Sequence, residues 1–335
     1  MLLTLVVTVI IVALIFDFIN GFHDTANAIA TVVSTGVLPL RTAIMLAAVL
    51  NFVGALTGTA VASTIGKGII TPDTITLVVV LSALVGAIFW NLFTWYYGIP
   101  SSSSHAMVGG LVGAGFAHSG LSSIQSAGMI KICTSLVLSP IVGMLMGFII
   151  MLLVYWIFRR AAPVGVSGLF RRLQMLSAGF MALSHGSNDA QKTMGVITMS
   201  LVAYGAIEMT GPKLPVPMWV VLASAAAMAL GTAAGGVRII KTLGTKIIDL
   251  KPQHGFAAET AAASVIFTAS HFGLPVSTTH CISGSILGVG ASQSVSAVRW
   301  GITVRILYAW ILTIPVSALC AYLFYWPSTW ITGLQ

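Results

Sequence analysis

Apolar runs, many near the length of a membrane crossing, fill most of the chain, and a few short polar stretches interrupt them. Residues 1–19 are apolar at nearly every position, and Asp17 is their one charged side chain. The run then meets Asn20-Gly21-Phe22-His23-Asp24-Thr25-Ala26-Asn27 and resumes over residues 28–38, too short for a crossing of about 20 residues. This pattern predicts a broken membrane helix: two pieces joined at a polar centre, with Gly21 permitting the break. Apolar runs follow at 42–65, 75–98, 105–118 and 128–158, the last with Pro140 as a kink point. Between the second and third lies Pro100-Ser101-Ser102-Ser103-Ser104-His105. A proline, hydroxyls and then an apolar run read as a capped helix start, so 75–98 and 104–118 are expected to form a hairpin.

The second half repeats this plan. Residues 173–183 lead into Ser184-His185-Gly186-Ser187-Asn188-Asp189-Ala190-Gln191-Lys192, and apolar sequence continues to about residue 206. Residues 217–236 cross, 257–274 and 280–291 flank Pro275-Val276-Ser277-Thr278-Thr279-His280, and 303–326 form a last crossing. Asp24 and Asp189 are 165 residues apart, Pro100 and Pro275 are 175 apart, and the order is the same, which argues for an internal duplication. Loop 159–172 carries Arg159, Arg160, Arg171 and Arg172 with no acidic residue, and a second basic loop holds Arg238, Lys241, Lys246 and Lys251 against Asp249. Both are expected on the cytoplasmic side. If the hairpins return to the side they left, each half makes three net crossings and the second half starts on the opposite side. The expected fold is therefore an all-α polytopic membrane protein of two inverted-topology repeats with broken helices and hairpins. The expected division is residues 1–158, a cytoplasmic basic linker at 159–172, and residues 173–335.

Composition supports that class. The 335 residues are 57% hydrophobic and only 7% charged, against about 25% charged in a soluble domain, so the chain cannot cover a large core with polar surface. A multi-pass protein of the cell membrane, the inner membrane in a bacterium, is the expected location. The net charge of +8 gathers in the two basic loops, which makes it a topology signal and not a nucleic-acid footprint. Cys133, Cys281 and Cys320 have no metal-like spacing and read as small hydrophobes. Glu208 and Asp73 fall in predicted loops.

The intramembrane polar residues carry the chemistry. A carboxylate in an apolar segment is costly unless paired or hydrated, so Asp24 and Asp189 are the primary candidates for binding a cation, Na⁺ included, or carrying a proton. The bland alternative is a neutral Asp that fixes a helix break. Asn27 and Gln191 supply further oxygen ligands, Glu259 enters an apolar segment as another candidate cation ligand, and Thr25 and Asn188 stand beside the same centres. The hydroxyls Ser102, Ser103, Ser104, Ser277, Thr278 and Thr279 sit at paired helix starts, where free N–H groups and the positive dipole end suit an anion; simple capping is the alternative. His23, His105, His185 and His280 recur near both kinds of centre as proton relays, orienting groups or caps. Lys192 stands where the first half has Asn27, and it can pair with an acid such as Glu259 or meet the anion directly. The residues alone thus point to an oxyanion or similar polar solute moved together with a cation.

These stretches resemble the inorganic phosphate transporter family over nearly the whole chain. The resemblance rests on Gly21-Phe22-His23-Asp24-Thr25-Ala26-Asn27, Gly186-Ser187-Asn188-Asp189-Ala190-Gln191-Lys192, the Pro100–His105 and Pro275–His280 centres, and Gly255-Phe256-Ala257-Ala258-Glu259. It implies a secondary active symporter, often a homodimer, that moves inorganic phosphate with Na⁺ or H⁺ or as a complex with a metal such as Mg²⁺. It implies no enzyme activity and no cofactor. Phosphate would meet the six hydroxyls with Thr25 and Asn188; Asp24 and Asp189 would take part in transport. A passive anion channel is the rival, and an intramembrane hydrolase a more distant one.

Overall fold

The computed structural model describes residues 1–71, 74–209, 211 and 213–333; Asp73 lies outside them, and Glu208 is exposed as expected. The described residues fold into helices with no sheet. In the first half these are α1 (Leu2–Ser34), α2 (Leu40–Ala55), α3 (Ala60–Gly68), α4 (Leu77–Tyr96), α5 (Ser103–Ser119) and α6 (Ser126–Phe158). In the second half they are α7 (Pro163–Ala203), α8 (Met218–Ala234), α9 (Val237–Thr245), α10 (Pro252–His271), α11 (Thr278–Gln293) and α12 (Trp300–Thr332). Four helices are long and apolar enough to cross a membrane, or six spans if the bent pairs α2–α3 and α8–α9 each count as one. The molecule is a polytopic helical bundle. The most apolar windows of α6 and α12 are only 28% and 33% buried, so these helices turn much of their apolar surface to lipid.

Two expectations are corrected. α1 runs through Gly21 and Asp24 without interruption, and α7 runs through Gly186 and Asp189. An α-helix satisfies its own backbone, so a buried polar side chain forces no break as long as neighbouring helices meet that side chain. The glycines serve close approach instead. A Cβ on Gly21 would stand 3.1 Å from the Thr232 backbone nitrogen of α8, and one on Gly186 would stand 2.6 Å from the Asn51 Cα of α2. The real interruptions lie elsewhere, at the bends of 72° between α2 and α3 and 76° between α8 and α9, and at the tips of the α4–α5 and α10–α11 hairpins. The second correction concerns the basic stretch 159–172, most of which is the first turns of α7, from Pro163 onward.

The halves interleave. α1 packs on α8 and α2 on α7; α9 packs on α1 and α3 on α7; α12 packs on α5 and α6 on α11. Two apolar clusters form the core. One takes α1 up to Phe16 and α7 from Ala190 onward; the other takes α1 from Ala26 and α7 up to Ala182. The polar centres of both helices fall between these clusters, where the hairpin tips meet them.

Candidate functional site

Both hairpin tips are capped helix starts. The Ser102 hydroxyl accepts the His105 backbone N–H at 3.2 Å, and the Ser277 hydroxyl accepts the His280 N–H at 3.2 Å. Each cap orients the next two hydroxyls inward, and both tips are buried. The Ser103 hydroxyl donates to Asp24 Oδ2 at 2.8 Å and Thr279 donates to Asp24 Oδ1 at 3.3 Å, so one carboxylate is held by both hairpins. Thr278 donates to Asp189 Oδ2 at 3.3 Å. Asn27 ties the second tip to α1 by donating to Thr278 at 3.3 Å and Thr279 at 2.9 Å, while its Oδ1 is buried with no protein partner. Ser104 donates to the Val276 carbonyl at 3.0 Å, locking one tip against the other.

Lys192 lies inside this assembly. It is fully buried, its ammonium stands 2.8 Å from Asp189 Oδ1, and it reaches Ser103 Oγ at 3.5 Å. The chain Asp189–Lys192–Ser103–Asp24 thus joins the two carboxylates. Of the two alternatives for this lysine, the structure shows pairing with an acid, and the acid is Asp189, not Glu259. Oxygens of Asp24 and Asp189 and a ring nitrogen of His185 lie within 4.8 Å of one another, a spacing that suits one shared cation. The imidazole is set for this. Asn51 donates its Nδ2 to Thr232 Oγ1 at 2.9 Å, so its Oδ1, 3.1 Å from His185 Nδ1, accepts a proton from that nitrogen. The Nε2 lone pair then faces Asp189 Oδ2 at 3.6 Å, too far for a direct hydrogen bond and suited to an intervening cation.

His23 is oriented as well, with Nδ1 2.8 Å from Asp24 Oδ1 and Nε2 3.2 Å from Thr94 and 3.4 Å from Ser101. His105 and His280 meet as a tilted pair with ring centroids 4.5 Å apart, and Trp310 stacks on His280 at 3.8 Å.

Several candidates are engaged elsewhere. The Thr25 hydroxyl donates to the Gly21 carbonyl at 2.7 Å and approaches the Thr232 carbonyl at 3.3 Å, so it ties α1 to α8 and does not face the tips. Gln191 caps α3: its Oε1 accepts from the Val61 N–H at 2.7 Å and the Ala62 N–H at 3.3 Å, and its Nε2 donates to the Ser187 carbonyl. That spends the oxygen once assigned to a cation. Asn188 donates to Ser270 at 2.9 Å and turns towards the end of α10, leaving its Oδ1 buried without a protein partner. Glu259 accepts from Thr31 at 2.5 Å, from Gln174 at 3.1 Å and from Ser177. Thr31 follows Asp24 by seven residues on α1, about 10 Å along the axis, so this carboxylate stands apart from the central pair. Asn51, Thr94, Ser101 and Thr232 orient the site and were not singled out from the sequence. A lone Asn51 inside an apolar run was the available signal.

Residues 20–166 and 159–321 match the sequence profile of the Phosphate transporter family. A Bacillus subtilis (strain 168) protein named "Probable low-affinity inorganic phosphate transporter" is 51% identical over 319 residues, 95% of either chain. A Rhizobium meliloti (strain 1021) protein of the same name is 50% identical over 325 residues, 97% of this chain and 96% of its own. Among solved structures, one titled "The sodium-dependent phosphate transporter" superposes with a TM-score of 0.88 at 26% identity, covering 98% of this chain and all of the other. With capped hairpins closing on a buried carboxylate pair and these matches along its length, the chain belongs to the phosphate transporter family.

Proposed function

We propose that the chain is a secondary active symporter that carries inorganic phosphate between its two hairpin tips, with the coupling cation at Asp24 and Asp189. The observation that carries this reading is that Ser103 and Thr279, from opposite halves, both donate to the Asp24 carboxylate. Substrate-side hydroxyls and cation-side carboxylate are thus one hydrogen-bonded unit, so occupancy of one reports on the other. Phosphate meets the hydroxyls of Ser102, Ser103, Ser104, Ser277, Thr278 and Thr279 and the free N–H groups of the first turns of α5 and α11. Na⁺ or H⁺ sits among Asp24, Asp189 and His185 Nε2, with the Asn27 Oδ1 available nearby; neutralising the carboxylates lowers the cost of bringing a second anion into a dry site. The sodium-dependent relative makes Na⁺ the first ion to test. Lys192 acts as a fixed counter-charge to Asp189.

The two halves act as inverted repeats, residues 1–158 and 173–335. Exchanging them maps each major helix pairing onto its partner: α1–α8 onto α7–α2, α1–α9 onto α7–α3, and α5–α12 onto α11–α6. The apolar cluster that takes the start of α1 takes the end of α7, as antiparallel repeat helices require. Alternating access then follows from swapping the two pseudo-equivalent arrangements, in a homodimer within the bilayer.

The test is uptake of radiolabelled phosphate into proteoliposomes with Na⁺, H⁺ and Mg²⁺ gradients imposed one at a time. A gradient of one cation should drive accumulation above equilibrium, and Asp24→Asn and Asp189→Asn should fold yet lose it. Flux that ignores every gradient would identify a channel, and accumulation that survives both substitutions would remove the carboxylates from the mechanism.

A further inference from the structure

Asp17 is the buried acid the central site does not use. It lies on α1, fully buried, and neither carboxylate oxygen has a hydrogen-bond partner. The other buried carboxylates are met: Asp24 by Ser103, Thr279 and His23, Asp189 by Lys192 and Thr278, and Glu259 by three donors. Asn20 and Thr193 face Asp17, and the charges of Asp189 and Lys192 lie further off. Asn20 and Thr193 are also fully buried, and their polar atoms are equally unpartnered.

Thr193 is informative. A Thr or Ser inside a helix commonly returns its hydroxyl to the carbonyl four residues back. Thr25, Thr94, Thr198 and Ser200 do this at 2.7–2.9 Å. Thr193 does not, and its hydroxyl is turned towards the Asp17 carboxylate instead. Asn20 and Thr193 thus stand within donor reach of Asp17, yet neither makes a close, well-aligned hydrogen bond to it.

We propose that Asp17, Asn20 and Thr193 form a second cation site, selective for a small monovalent cation such as Na⁺ and separate from the Asp24–His185–Asp189 cluster. The ligand set is a carboxylate, an amide oxygen and a hydroxyl, the oxygen donors that suit such an ion. A buried carboxylate with no counter-charge is strongly destabilising, and the nearest lysine is committed to Asp189. A bound cation supplies the missing charge. Asp17 precedes Asp24 by seven residues of continuous helix, about 10 Å along the axis, so the two sites are adjacent without sharing ligands. The site is not duplicated: the offset of 165 residues that maps Asp24 onto Asp189 maps Asp17 onto Ala182 and Asn20 onto His185.

The experiment is equilibrium binding of radioactive sodium to the purified full-length protein in detergent without phosphate. It compares wild type, Asp17→Asn, Thr193→Val, Asp24→Asn and the Asp17→Asn/Asp24→Asn pair, each checked by circular dichroism and gel filtration. Asp24→Asn should retain a sodium-binding component that Asp17→Asn lacks, the pair should bind none, and Thr193→Val should weaken that component severalfold. Binding to Asp17→Asn that equals wild type overturns the proposal, and so does the absence of sodium binding to wild type. Thr193→Val gives the same discrimination if Asp17→Asn does not fold. The central-site reading is judged separately, by coupled uptake in Asp24→Asn and Asp189→Asn.

Discussion

Lys192→Asn gives the second half the residue that Asn27 supplies in the first. In the wild type the ammonium lies 2.8 Å from Asp189 Oδ1 in a fully buried setting. At an effective dielectric of about 20 that separation corresponds to a gross attraction of about 6 kcal/mol, and removing one partner of a buried pair costs about 3–5 kcal/mol net. Thr278 at 3.3 Å and His185 at 3.6 Å remain near the carboxylate, which favours the lower end of that range. A penalty of about 3 kcal/mol is a factor of roughly a hundred in the population of the competent state. Without added Na⁺, phosphate uptake by the variant should fall by about that factor. A mobile cation can take the place of the ammonium, so saturating Na⁺ should restore most of the activity, and the dependence of rate on Na⁺ should be steeper than in wild type. The assay is initial-rate phosphate uptake into proteoliposomes at fixed pH gradient, with Na⁺ titrated from none to saturation and choline as the balancing ion. Uptake by the variant equal to that of wild type in sodium-free medium would refute the counter-charge argument. Well-folded variant protein inactive at every Na⁺ concentration would refute it too, and would assign the lysine to the phosphate instead.

Other outcomes follow from the same contacts. Gln191→Ala removes the acceptor of the Val61 and Ala62 N–H groups, so thermal unfolding in detergent should reveal a loss of about 1–3 kcal/mol, with the phosphate KM unchanged within about twofold. Ser103→Ala breaks the link from the first hairpin to Asp24 and from Lys192 to that link, so KM for phosphate should rise by about tenfold or more in uptake assays, while the far-ultraviolet dichroism stays that of wild type. Thr25→Val should leave KM unchanged and lower only stability, by about 1 kcal/mol in a thermal melt, because its hydroxyl serves the α1–α8 contact. Gly186→Ala places a Cβ 2.6 Å from Asn51 Cα and should separate α2 from α7, at a cost of about 1–3 kcal/mol or more, read as a lower melting temperature and reduced folded yield.

The sequence by itself determined the class, the capped helix starts and the buried acids to look for. Apolar runs with scarce charge leave a chain no stable surface but lipid, and in lipid a continuous helix is the local way to satisfy a backbone. Pro100–His105 and Pro275–His280 were readable as capped helix starts because capping is a matter of neighbouring residues, and both caps formed at the expected serines. Asp24 and Asp189 stood out because a carboxylate in an apolar run demands a partner. The partners themselves were decided only by tertiary structure. Whether Asn20–Asn27 breaks a helix or is met by neighbouring helices depends on how close α8 and α2 can come, which the glycines permit but do not announce. Gln191 and Thr25 bear oxygens as suitable as those of Asn27, and only the rotation of their helices turned one towards the α3 N-terminus and the other towards α8. Lys192 found Asp189 one turn away, and Asp17 was left with no close hydrogen bond from its neighbours Asn20 and Thr193. Apart from the i,i+3 pair of Lys192 with Asp189, those outcomes rest on which side chains from distant parts of the chain arrive within about 3 Å, a separation that residue order along the helix does not specify.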